Sequence, residues 1–250
     1  MKKYLILIIL LFAVLSVYSQ RRGQVIKWFS LAAKGGVGNS LLLNPDIFSE
    51  AGADSDVFTL SYSYGGRFTF SYGDNLGVGV DVLSSSFGQN YTLVTGIESY
   101  EKQLKLTSLD ISPFFRYSGY GGGYFEIGPT FTTLKSAEET NSIQGTFFPR
   151  DNLMEIYENK LTGLMVGFGM AAVRTERLAV NLGLRASYGF TDMVPNHQND
   201  YVLNDGVYFP EIISDKETHA LSLKFFAELN YFFAFWGDAS CGRGRLVFFQ

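Results

Sequence analysis

Three groups of residues in this chain have the types that chemistry uses. The first is Lys34-Gly35-Gly36-Val37-Gly38-Asn39-Ser40, close to a phosphate-binding loop. A phosphate cradle needs a Lys before its final Ser and a helix opening directly after it. Here Asn39 holds the Lys position, and Leu41-Leu42-Leu43-Asn44-Pro45 is a poor helix start. No nucleotide is expected, and the glycines suit a strand end meeting a loop. The second group is His197 and His219, the only histidines, with Asp192, Asn196, Asn199, Asp200, Asp205 and Asp215 nearby. Their spacing matches no hydrolase or metal motif, so a solvated loop is expected. The third is Cys241, the single cysteine. It has no partner for an intramolecular disulfide. An idle thiol is the simplest expectation, with an intermolecular bond or lipid attachment as alternatives. The chain therefore reads as non-enzymatic, with no catalytic residue, cofactor or metal.

Composition points elsewhere. The 250 residues carry a net charge of −4, with 46% apolar and only 18% charged residues, which excludes a disordered chain. Nothing is basic enough to suggest nucleic acid. A mean hydropathy of +0.08 accompanies 27 Gly, 23 Phe and 15 Tyr. Aromatic residues favour strands, and Gly is tolerated where sheets bend or side chains crowd.

Residues 1–19 read as a signal peptide. Lys2 and Lys3 precede an apolar run from Tyr4 to Leu15, and Ser19 suits cleavage. That run is shorter than the roughly 20 residues of a membrane-spanning helix. Without Lys2 and Lys3, 18 basic residues face 24 acidic ones, so the exported chain is acidic at −6.

The body alternates with period two. Phe58, Leu60, Tyr62, Tyr64, Phe68, Phe70 and Tyr72 share one parity, while Ser61, Ser63, Arg67, Thr69 and Ser71 share the other. This is a long strand with one apolar and one polar face. Gly73, Asp74 and Asn75 then turn the chain into Leu76, Val78, Val80 and Val82. Further strands are expected near 104–118, 123–136, 160–174, 177–191 and 219–236, with an opening one near 25–38. Connections near 73–75, 118–123 and 174–177 are short. Those near 39–56, 88–103, 137–159 and 192–218 are long and polar. This pattern predicts an all-β fold: an eight-stranded antiparallel transmembrane β-barrel with short periplasmic turns and long extracellular loops. The barrel would occupy residues 20–236 in the bacterial outer membrane, with lipid around it.

Lipid-facing parity places Lys34, Arg67, Arg116, Arg185 and Lys224 with Asp81, Asp110, Glu126 and Glu228 in the lumen. Eight strands enclose a space that side chains can fill, and buried charges persist when paired. A barrel stitched by ion pairs is the expected result; the same residues would also suit a proton or ion path. Gly77, Gly79, Gly163, Gly167 and Gly169 would make room for the long cationic chains. Tyr72, Tyr117, Tyr124, Tyr188, Tyr231, Phe235 and Trp236 would form aromatic girdles.

Three segments stand out: Leu109-Asp110-Ile111-Ser112-Pro113-Phe114-Phe115-Arg116-Tyr117, Tyr124-Phe125-Glu126-Ile127-Gly128-Pro129 and Arg185-Ala186-Ser187-Tyr188-Gly189-Phe190-Thr191-Asp192. Together they resemble the small outer-membrane barrel family abundant in the Bacteroidetes, the PorT-like barrel domain. The resemblance implies architecture and address; some members serve protein secretion and gliding machinery. Residues 237–250 depart from that pattern and read as a periplasmic tail. In it Cys241, Arg243, Arg245, Phe248 and Phe249 are candidate contacts for an outer-membrane or periplasmic protein partner. A structural or interaction subunit, of a secretion or envelope assembly complex, is the expected role; a small solute channel or ligand-binding barrel is the alternative.

Overall fold

The computed structural model describes residues 27–45, 53–55, 58–73, 75–95, 98–143, 146–150, 153–194, 216–238 and 244–248. The signal segment 1–19, His197, Cys241, Arg243 and Phe249 lie outside the described residues. Eleven strands form one antiparallel sheet: β1 (Lys27–Leu43), β2 (Ala53–Ser55), β3 (Thr59–Tyr72), β4 (Leu76–Thr95), β5 (Glu98–Ser118), β6 (Gly123–Ile143), β7 (Thr146–Arg150), β8 (Lys160–Arg174), β9 (Leu178–Gly189), β10 (His219–Asp238) and β11 (Gly244–Phe248). Eight of them, β1-β3-β4-β5-β6-β8-β9-β10, make the barrel, and β10 closes it on β1 from Leu43↔His219 to Lys27↔Trp236.

The two faces follow from parity. On β9 and β10, Leu184 and Leu223 point out and are 53% and 54% exposed, whereas Arg67 and Asp81 inside are 2% and 0% exposed. The apolar band has a sharp upper limit. Along the outward parity of β4 the residues run Leu76, Val78, Val80, Val82 and then Ser84, Ser86, Gly88 and Asn90, with Ser86 and Gly88 covered. On β5 they run Tyr117, Phe115, Pro113, Ile111, Leu109 and then Thr107, Lys105, Gln103 and Glu101. The register puts Ser84 opposite Leu109, so the change falls at one height on neighbouring strands. A belt of this kind is what lipid selects.

At one end the strands are joined by tight turns, where Gly73 and Gly122 take positive φ (65° and 81°) that other side chains resist. At the other end the connections differ from the sequence expectation. Strands β4 and β5 continue to Thr95 and from Glu98, so most of the supposed loop 88–103 is paired strand. Likewise β6 runs to Ile143 and β7 pairs back on it, leaving a single 3₁₀ turn at Leu153–Glu155 within 137–159. The ladder outlasts the lipid band because backbone pairing does not depend on it. Once the outward face meets water, its residues turn polar and the membrane alternation disappears from the sequence. The inward face stays covered, with Gln89, Leu104, Leu106 and Ala137 buried.

The last strand also runs two residues past the expected boundary. Barrel strand β9 ends at Leu178, opposite Tyr231, so the final residues of β10 have no β9 partner on that side. Segment β11 takes that edge, with Phe248 opposite Ala234 and Gly244 opposite Asp238. The backbone of Gly244–Phe248, including Arg245 and Phe248, is thus part of the barrel sheet rather than a separate tail.

Candidate functional site

The lumen at mid-height is filled by charge. Three pairs are directly opposed across neighbouring strands: Lys34↔Glu228, Arg67↔Asp81 and Arg116↔Glu126. Opposite charges so placed stabilise a strand pair. Closing the sheet then brings the three pairs together. Lys34 bridges Asp81 (3.2 Å) and Glu228 (2.8 Å). Arg116 bridges Glu228 (2.9 Å) and Glu126. Arg185 bridges Glu126 (2.9 Å) and Asp81 (2.7 Å). The result is a closed ring in which three cations alternate with three carboxylates.

Arg67 lies at its centre and alone touches all three anions. Its Nε and Nη2 donate to the two oxygens of Asp81 at 2.5 and 2.8 Å. Its Nη1 donates to Glu126 at 2.5 Å and to Glu228 at 3.1 Å. A planar guanidinium with five donors suits this position, and an ammonium would not. Burial would be costly for any one of these ions alone; here each has at least two counter-ions in contact.

Aromatic rings support the ring of charges, and they were missed in the sequence. The Arg67 guanidinium lies 4.1 Å from the Phe114 ring, and Arg116 lies 4.1 Å from that of Tyr124. The Phe226 ring receives Lys34 at 4.7 Å and Arg185 at 5.2 Å. Cations held over ring faces gain electrostatic attraction, more so when desolvated. Each ring sits directly opposite a glycine: Phe226↔Gly36, Phe114↔Gly79 and Tyr124↔Gly169. A Cβ at Gly36 would stand 2.5 Å from Phe226, at Gly79 2.6 Å from Phe114, and at Gly169 2.3 Å from Tyr124. These glycines seat rings, therefore, and the cationic chains lie over the rings. Tyr124 belongs to the lumen and not to the outer girdle. Tyr72, Tyr117, Tyr188 and Tyr231 do face outward. Even parity in β6, which Tyr124 shares with Glu126, was the available signal.

Two of the nine expected lumen charges stand apart from the ring. Lys224 donates to Ser63 Oγ at 2.7 Å. Asp110 accepts from Ser108 (3.0 Å) and Thr132 (2.8 Å). Both line a cavity of about 90 Å³ above the ring, together with Arg185 and several Ser and Thr hydroxyls. An apolar plug covers it toward the long connections. Leu42, Leu104, Leu106, Leu134, Ala137 and Leu161 supply the walls, and Leu153 and Met193 enter from the connecting segments. Met193 is pinned by backbone bonds to Thr218 and Glu158, and Asp192 accepts from Thr218 and Val194.

The remaining candidates resolve as structure. Lys34–Ser40 lies inside β1 and not at its end, and Ser40 bonds the backbone of Gly88 on β4. His219 pairs with Glu217 at 3.2 Å and packs on Tyr188. Among the described residues no group of three or more His, Cys, Asp or Glu is placed to hold a metal ion.

No protein-family model and no curated protein matches the chain. Solved structures to which it is similar include three surface proteins. Neisserial surface protein A is 12% identical, with 80% of this chain and 96% of that one covered and a TM-score of 0.33. The outer membrane protein OprG from Pseudomonas aeruginosa is 12% identical, covering 84% and 96%, with a TM-score of 0.35. Ail, the attachment invasion locus protein of Yersinia pestis, solved with the heparin analogue sucrose octasulfate, is 8% identical, covering 84% and 100%, with a TM-score of 0.32. Independently of these likenesses, the closed register of eight strands and the apolar belt make this chain a transmembrane β-barrel.

Proposed function

We propose that this chain is an exported, non-enzymatic outer-membrane barrel that acts as a structural or interaction subunit of an envelope or secretion assembly. Its short turns face the periplasm and its long connections face outward. The observation that carries the reading is the ring of ion pairs. It crosses the lumen at mid-height with all its members buried or nearly so, and the apolar plug lies above it. A lumen so filled suits a scaffold better than a conduit. The PorT-like resemblance supports a place in a secretion or envelope complex, and residues 237–250 supply the partner contact.

Two measurements test this. In planar bilayers the purified chain is expected to give no stepwise currents; steady single-channel conductance would overturn the scaffold reading. In mild detergent, the tagged chain from its own membrane is expected to migrate as a complex larger than the monomer, and to fall to the monomer when 237–250 is deleted. A monomer in both cases removes the partner. A ligand-binding barrel is favoured by one specific observation, the polar cavity above the ring.

A further inference from the structure

The ring and the level directly above it hold five cations and four anions, apart from the Lys102–Glu139 pair higher on the β5–β6 wall. In the alternating ring three face three, and Lys224 is matched in number by Asp110 above it, so the one surplus charge is that of Arg67 at the centre. Arg67 shares its charge among three carboxylates. Lys224 has no such arrangement: it is 6% exposed, donates to one hydroxyl, and has no carboxylate within the 4 Å that defines an ion pair. Its direct cross-strand neighbour is Arg185. Like charges placed opposite each other destabilise a strand pair, and buried ions of one sign need a counter-ion. Asp110, on the same cavity wall, supplies an attractive charge from beyond ion-pair distance, and its carboxylate is engaged by two hydroxyls.

The cavity bordered by Lys224 and Arg185 has two chemistries. Its floor is cationic and its belt is hydroxylic, with Ser63, Ser85 and Ser222 among the lining residues. Toward the plug it is lined by Leu83, Phe87, Leu161 and Met193. At about 90 Å³ it has room for several waters or for one acid of a few heavy atoms. The opposed pair Gly163↔Gly189 also lines it, with no side chain from either strand.

We propose that this cavity binds one small monocarboxylate anion, its head on Lys224 and Arg185 and its short alkyl tail against Phe87, Leu161 and Met193. The bound anion evens the count of cations and anions and separates the two opposed cations. Binding does not depend on a protein partner, so it goes beyond the scaffold reading and stands or falls apart from it.

Isothermal titration of the full chain in neutral detergent, free of carboxylate buffer, tests this with propionate, butyrate, chloride and inorganic phosphate. One saturable site per chain is expected for propionate and butyrate, tighter than for either inorganic ion. Lys224→Gln removes one of the two opposed cations and is expected to weaken propionate by about tenfold or more, the loss of one charge-assisted contact. Asp110→Asn raises the surplus and is expected to tighten it. Ser222→Met keeps all charges and fills the space, and is expected to abolish binding. Far-UV circular dichroism shows which variants are folded. No saturable binding to the parent chain overturns the proposal, and so does equal affinity across the folded variants. Chloride or phosphate binding as tightly as propionate overturns the assignment to a carboxylate.

Discussion

Replacing Arg67 by methionine is expected to destabilise the barrel by about 3–5 kcal/mol, the cost of removing one partner from a buried ion pair. The measurement is the urea midpoint for unfolding from lipid vesicles. Counting charges gives the opposite forecast. Without Arg67, Lys34, Arg116 and Arg185 balance Asp81, Glu126 and Glu228 one to one. Geometry decides the matter. Each peripheral cation reaches only two of the three carboxylates, and Arg67 reaches all of them. With methionine there, three buried anions face one another across an apolar side chain. Arg67→Lys restores the charge without the planar fork and is expected to fall between the two. Should Arg67→Met unfold at the parent's midpoint, the central arginine contributes nothing that the outer ring does not. If that variant yields no barrel, the lysine variant carries the comparison: a parental midpoint there rules out a need for bidentate geometry.

How much of this was legible depends on which interactions run along strands and which run across the lumen. Period-two alternation from Phe58 to Tyr72 identified a strand, and its parity placed Arg67 inside. The same device placed all nine expected charges on inward faces. Two of the cluster's contacts are latent in hairpin register, because Arg67↔Asp81 and Arg116↔Glu126 are neighbours on consecutive strands, while Lys34↔Glu228 is opposed only once β10 meets β1. Others, such as Arg67 with Glu228 or Arg185 with Asp81, join strands far apart in the sheet order, and Lys34–Asp81 and Arg185–Glu126 each reach past an intervening strand. They arise only from closure, which alternation does not encode. The same distinction explains Lys224 and Asp110: parity put them in the lumen, but their height along the barrel kept them out of the ring. The extended β4–β5–β6 wall was read as loops because strand recognition rested on an apolar outward face, and above the belt that face is polar. Tyr124 reads as a girdle residue because rings near strand ends suggest membrane girdles, whereas Phe114 and Phe226 share the parity of the inward charges. Parity alone would have separated Tyr124, which points in, from Tyr117, which points out.

The glycine–aromatic pairs make the sharpest test of how the lumen is packed, since they predict a change of sign. Glycine in a strand interior costs conformational entropy, so Gly36→Val on its own merits favours the strand. At this position the nearest atoms to a new Cβ are three atoms of the Phe226 ring, at 2.5, 2.6 and 2.8 Å. Gly36→Val is therefore expected to destabilise by about 1–3 kcal/mol through overpacking. Phe226→Ala, a buried ring removed, is expected to cost about 3–5 kcal/mol. It also takes away the surface on which Lys34 and Arg185 rest. In the Phe226→Ala background the obstruction is gone, the valine fills part of the space, and β-propensity is free to act. There Gly36→Val is expected to stabilise. The coupling between the two positions is then large and favourable to the double variant, as for residues that share one cavity. If Gly36→Val destabilises equally in both backgrounds, the glycine is required by its backbone rather than by the ring. The reading of Gly79 against Phe114 and Gly169 against Tyr124 would fall with it, because a Cβ at those two sites also meets the carbonyls of Phe68 and Leu182. A reversal of sign at Gly36 shows instead that the lumen is built from rings laid over bare backbone, with the cations stacked on top. In such a lumen the position of every charge depends on a residue that has no side chain.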